Sequence, residues 1–210
     1  MLTFEQFLHS TAEEGDAVNL VFEQRLFDLV GVLHKIAGPL AAGHVPHELV
    51  GGLAVLIHVE EADPAHSMLT RDVDLMIRRS GIARVIGIAE GCGFKFRHAA
   101  DPPARAARLD MLLHGDSAKT PIHLLFSGEK VRPAQATSNP DIRPVQKAIH
   151  GESVAVISLA DLLRMKLSSW RLKDHVHIQV MDAAGLITTE VESTLSEELR
   201  GRLRYVRETD

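Results

Sequence analysis

Two short stretches restrict this 210-residue chain more than anything else in it. One is Leu49-Val50-Gly51-Gly52, an apolar run ending on paired glycines. The other is Thr70-Arg71-Asp72-Val73-Asp74-Leu75-Met76-Ile77. From Leu69 through the second, Leu69, Val73, Leu75 and Ile77 share one parity and Asp72 and Asp74 the other, the pattern of a strand over 69–77 with one face in a core. The two carboxylates then project side by side. They repel each other unless a cation lies between them, and a hard divalent ion with oxygen ligands, Mg²⁺ or Mn²⁺, meets that need. The glycine pair sits where a strand over 44–50 turns into a helix over Leu53 to Val59. A bulky side chain there would block approach, whereas free N–H groups at a helix N-terminus favour phosphate. A phosphate cradle beside metal-binding carboxylates is what phosphoryl or nucleotidyl transfer requires.

Around these stretches the periodicity predicts an α+β protein. Helices are expected over 3–14 and 17–37, the second from Phe22, Leu26, Leu29, Leu33 and Ile36, with Gly38-Pro39 as its stop. Residues 60–68 read as a loop and 81–91 as a helix. Strands follow at 94–99, 107–114 and 121–127, with turns at Asp101-Pro102-Pro103 and over 115–120. Residues 128–150, punctuated by Pro133, Pro140 and Pro144, read as an irregular arm. Val154 to Ile157 is a short strand. Ser158 and Asp161 form a capping-box pattern that starts a helix to about Arg171, helical character resumes over 174–184, and a last helix spans 195–207. The expected architecture is a small mixed sheet of four to six strands between helical segments. Its parts are N-terminal helices over 1–40, a core over 41–157 and a C-terminal helical region over 158–210 packed on that core.

Composition narrows the function. Hydrophobic residues are 45% and charged residues 24%, which is ordinary globular usage and argues against disorder. The single cysteine excludes an internal disulfide framework and a multi-cysteine zinc site. A net charge of −5 does not support a broad nucleic-acid footprint, while a local basic cluster holding a small anion remains compatible with it. The longest apolar run is far short of a membrane span. Met1 to Ser10 lacks the basic segment of a secretory signal, so a cytoplasmic protein without a membrane partner is expected.

The glycine pair followed by Asp-x-Asp on the next strand resembles the nucleotidyltransferase superfamily of the DNA polymerase β type. The similarity is greatest to its small prokaryotic branch, which includes abortive-infection toxin nucleotidyltransferases. It covers roughly residues 44–182 and includes Gly128-Glu129-Lys130-Val131-Arg132-Pro133 and Met165-Lys166-Leu167, then Arg171-x-Lys173-Asp174-x-x-His177. The resemblance implies a nucleotidyltransferase-like fold and transfer of a nucleoside monophosphate from an NTP to a hydroxyl acceptor, which is RNA, protein or a small molecule. It implies Asp72 and Asp74 as Mg²⁺ or Mn²⁺ ligands and catalytic residues. Nucleotide contacts would come from Gly51, Gly52, Thr70, Arg71, Lys130, Lys166 and Lys173. A homodimer or an antitoxin partner fits the toxin–antitoxin setting of that branch.

The sequence departs from the family pattern in two places. The spacing from Gly52 to Asp72 is long, as though residues 60–68 were inserted. The family's third carboxylate is also displaced: His123 occupies its place on Ile122-His123-Leu124-Leu125-Phe126. Asp110 is the substitute carboxylate if strands 107–114 and 121–127 pair antiparallel, and His123 is the alternative base. The competing reading is a catalytically silent relative acting as a binding or regulatory module. Lys166, Ser169, Trp170, Lys173 and His177 share one face if their helix is continuous, and two lysines on one face suit a polyphosphate. Arg164 and Arg171 fall on another face and read as solvent or acidic-partner contacts.

Overall fold

The computed structural model describes residues 4–68, 70–100, 109–115 and 120–209. The turn expected at Asp101-Pro102-Pro103, Leu69 and most of the 115–120 turn lie outside them. The N-terminal region is one helix, α1 (Phe4–Ala42), where two were expected, and it runs through Pro39. A proline near a helix end forfeits one hydrogen bond, whereas burial of Leu29, Leu33, Ile36 and Leu40 along one stripe offsets that loss. The stop lies at His44, which takes φ 51. The Val45 amide donates to Leu40 O and the His44 amide to Ala41 O, both at 2.9 Å, closing a Schellman motif.

After α1 the chain builds a seven-stranded sheet. The strands are β1 (His47–Val50), β2 (Val73–Ile77), β3 (Phe94–Arg97), β4 (Asp110–His114), β5 (Ile122–Phe126), β6 (Val145–Ile149) and β7 (Glu152–Val156). Their order is β3-β4-β5-β2-β1-β7-β6; β2 runs parallel to β5 and β1 to β7, and the other pairs are antiparallel. Among the described residues the further α-helices are α2 (Gly51–Ala62), α3 (Ile82–Gly91), α4 (Leu159–Ser169), α5 (Leu172–Ala183), α6 (Thr189–Ser193) and α7 (Glu197–Glu208). Helix α2 is buried from Gly52 to Val59, consistent with the apolar run Leu53 to Ile57 that fills its first turns, and packs on β1, β2, α4 and α5. No helix among the described residues is long and apolar enough to cross a membrane.

The seventh strand is β6, which the sequence reading left inside the irregular arm. Its residues are largely exposed at the sheet edge, so it lacks apolar alternation. It joins β7 through His150-Gly151, both at positive φ (47° and 84°), as a two-residue hairpin turn requires. The rest of the arm is held down. The Ala136 amide donates to Ser168 O, the Thr137 amide to Ser168 Oγ, and the Arg143 amide to Glu48 Oε2.

Glu48, in the middle of β1, is 1% exposed, and its Oε1 has no hydrogen-bond partner. Burial pushes its carboxyl up from 4.5 to about 7, against the Arg143 amide and with the help of nearby Asp161. The folded state therefore holds a proton that the unfolded chain releases near 4.5, and raising the pH between those values lowers stability. We expect Glu48→Gln to remove that slope. In urea titrations the variant should match wild type at about pH 4–5 and exceed it by on the order of 2–3 kcal/mol at about pH 8.

Candidate functional site

The antiparallel register of β1 and β2 pairs Val50 with Asp74, which sets the glycine bend against the acidic strand. Gly51 adopts φ +76, and a Cβ on it would lie 1.9 Å from Asp74 Oδ2. Only glycine permits that approach. A Cβ on Gly52 would lie 2.5 Å from Thr70 Oγ1, so Thr70 backs the second glycine. Gly51, Asp72 and Asp74 line a single cavity of about 260 Å³ at the N-terminus of α2. The same cavity is lined by His123, Arg132, Lys166, Arg171, Lys173 and Asp174, with Leu125, Leu162 and Met165 supplying apolar wall.

His123 lies opposite Asp74 across the parallel β2–β5 ladder, and its Nδ1 is 3.1 Å from Asp74 Oδ1. Burial alone would lower the imidazole pKa, but the hydrogen bond and charge of Asp74, with Asp72 behind, raise it. Reciprocally, burial would push Asp74 up, and His123, Lys166 and Lys173 hold it below its ordinary value. A neutral His123 donating from Nδ1 leaves Nε2 as its basic nitrogen.

Asp110 does not join this group. Strands β4 and β5 pair antiparallel as expected, but the register matches Met111 with His123 and Asp110 with Leu124. Directly opposed residues share a face and neighbours along a strand alternate, so Asp110 is on the face away from His123. It is 5% exposed, accepts the Ala99 amide at 2.8 Å, and lines a neighbouring cavity of about 180 Å³ with Arg79, Glu129 and Lys130. Lys130 thus sits outside the Asp72–Asp74 cavity, and Arg132 reaches it instead. Arg71 is exposed; its backbone carbonyl accepts Arg25 Nη2 at 2.6 Å, and its side chain does not line the cavity.

The cationic wall comes from the C-terminal helices, and the expected continuous helix is broken. Helix α4 ends at Ser169, Trp170 takes the left-handed conformation (φ 53°, ψ 39°), and α5 restarts at Leu172. That conformation is costly for a bulky residue. Trp170 is held there by its ring contact with His175 (4.1 Å between centroids) and by Arg202 over its face at 5.2 Å. The bend turns α5 back so that Asp174 meets Lys166. Asp174 is fully buried and accepts the Arg171 Nε at 2.7 Å, its Nη2 at 3.0 Å and its backbone amide at 3.1 Å, while Lys166 Nζ is 3.6 Å away. Burial would raise the Asp174 carboxyl, but Arg171 and Lys166 hold it near 2. Burial lowers Lys166 to about 8, with Asp174 and Asp74 resisting the fall. Next to this group His177 is buried beside Gly52, and burial followed by the charge of Lys166 pushes it down to about 3. It is therefore neutral. Arg171 and Asp174 were not among the expected site residues; their i, i+3 spacing at a helix start was the available signal.

Among the described residues, no three His, Cys, Asp or Glu side chains form a closed ligand set. The donor set is two carboxylates on one cavity. That fits a magnesium-type ion, which is bound through one or two carboxylates and completes its shell with water and substrate phosphates.

The fold is that of the nucleotidyltransferases. An antigenic nucleotidyltransferase-like protein from Paracoccidioides brasiliensis superimposes at a TM-score of 0.56 with 15% identity, over 87% of this chain and 88% of that one. The solution structure of the antibiotic-resistance factor ANT(2'')-Ia matches at 0.51 with 15% identity, over 86% of this chain and 91% of that one. No family model and no curated protein matches the sequence. At these identities the likeness carries the fold.

Two expectations test the geometry. Gly51 and Gly128 share φ +76, but a Cβ on Gly128 meets nothing within 4 Å. Gly51→Ala should therefore cost more than Gly128→Ala in thermal unfolding, by on the order of 1–3 kcal/mol, with Asp74 displaced. In Asp74→Asn, His123 loses the larger of the two acidic influences that raise its pKa, with Asp72 remaining, while keeping the burial that lowers it. Its imidazole proton resonance should titrate above the ordinary histidine range in wild type and distinctly lower in the variant.

Proposed function

We propose that this nucleotidyltransferase-fold chain moves a nucleoside monophosphate from an NTP to a hydroxyl acceptor, releasing pyrophosphate. One observation carries the reading. The Gly51 turn, Asp74 of β2 with Asp72 just before that strand, and four basic side chains (Arg132, Lys166, Arg171 and Lys173) line one cavity at a helix N-terminus. Backbone N–H groups there and the lysine and arginine wall suit a triphosphate, whose charge is the main obstacle to attack at phosphorus. Asp72 and Asp74 would hold Mg²⁺ or Mn²⁺, which supplies charge neutralisation and alignment of the phosphates when bound.

The chain's own residues then bind, orient and handle a proton. Gly51 and Gly52 give the triphosphate room against the start of α2, and Lys166 and Lys173 offset its charge. The acceptor oxygen forms a bond to the α-phosphorus as the bond from that phosphorus to the bridging oxygen breaks, and pyrophosphate leaves with the electron pair. The acceptor's proton goes to His123 Nε2, with Asp74 steadying the ring through Nδ1. This assigns to an imidazole the task that a third carboxylate performs elsewhere in the superfamily. It also explains why the turning away of Asp110 does not by itself favour a silent protein: His123 stays in the cavity, bonded to Asp74.

Calorimetry with ATP, GTP, CTP and UTP in the presence of Mg²⁺ tests the reading. Wild type should bind at least one of them, and Asp72→Asn/Asp74→Asn should lose at least about tenfold in affinity, about 1.4 kcal/mol. Equal binding by the double variant, or no binding by wild type, removes the proposal.

A further inference from the structure

We infer that Asp174 is the positioning residue of the cationic wall: it sets where Lys166 and Arg171 stand, and through them how tightly the polyphosphate of the substrate is held. The inference rests on the nucleotide reading above and adds to it a residue that touches no reacting atom. Its basis is geometric. Asp174 is wholly withdrawn from water, yet three N–H donors of Arg171 converge on it and the Lys166 ammonium stands 3.6 Å from it. Lys166 is itself only 4% exposed. A buried ammonium without a carboxylate beside it is expensive, so its place is decided by the nearest anion.

Two carboxylates compete for Lys166. One is Asp174; the other is Asp74, which also acts on it electrostatically and is itself engaged by His123. With Asp174 present, Lys166 is shared between the two walls of the cavity instead of collapsing onto Asp74. Arg171 is fixed differently. It occupies the N-cap of α5, and its side chain and amide both bond to Asp174, so a long flexible side chain is locked in one arrangement at the cavity edge. A phosphate binding there finds its donors already placed, which avoids the ordering cost of free side chains. Neutralising Asp174 would leave both cations present and release them from their positions.

The measured quantity is the ratio of NTP to NMP affinity, for the nucleotide that wild type binds tightest, by calorimetry with Mg²⁺. A defect in packing alone weakens both ligands together and leaves the ratio unchanged. Loss of the placed cations weakens the triphosphate selectively. Asp174→Asn should lower the ratio by about tenfold, and Asp174→Glu, which keeps the charge but shifts it by a methylene, should lower it by less. An unchanged ratio in Asp174→Asn overturns the inference. If that variant does not fold by circular dichroism, Asp174→Glu is read by the same criterion: a lowered ratio upholds the inference and an unchanged one overturns it. Failure of wild type to bind any NTP is a different result, and it removes the nucleotide reading itself.

Discussion

The close approach of the Gly51 backbone to the Asp74 carboxylate is the contact on which the rest of the site depends. It exists because β1 and β2 are neighbours in register Val50 to Asp74 and because position 51 carries no side chain. From it follow the entry of α2 at the carboxylate strand, the direction of its first N–H groups and the depth of the cavity. A shift of one residue in that ladder would send Asp74 to the opposite face. The apolar residues of β2 prevent such a slip, since Val73, Leu75 and Ile77 are all fully buried.

That arrangement was legible in the sequence because it is local. Alternation over 72–77 and a glycine pair at a strand end are short-range signals; the chain bends at Gly51 as they indicate, and the strand starts at Val73, so Asp74 lies on it and Asp72 just before it. What was not legible depends on partners distant in sequence. The facing of Asp110 is set by a register that leaves Met111 beside His123, and strand composition does not reveal a shift of one residue. The end of α1 at His44 rather than at Gly38-Pro39 depends on burial of Leu40, which only the assembled core supplies. Strand β6 has no apolar face to announce it, and its turn is His-Gly where the common signal is Asn-Gly.

The basic wall shows the same division. Lys166 and Lys173 were placed together by assuming one straight helix; they do share the cavity, but by a different route. The chain turns at Trp170, and the turn delivers Arg171 and Asp174 as well, which a straight helix would have sent elsewhere. Electrostatics makes the bend tolerable. Asp72 and Asp74 share one cavity with Arg132, Lys166, Arg171 and Lys173, and Asp174 pairs with Arg171 and Lys166 within the basic wall, so the charges are nearly balanced before any ligand arrives.

The bend at Trp170 is secured by a helix more than two dozen residues further along the chain. Arg202 of α7 donates to the carbonyls of Leu167 and Ser168 at 2.8 and 3.2 Å, closing the exposed end of α4, and its guanidinium lies over the Trp170 ring. The segment bearing Lys166 is therefore finished only when α7 has docked against it. Loosening α7 would leave the glycine bend and the acids in place while unsettling the basic wall, so a helix that lines no part of the cavity governs the shape of its rim.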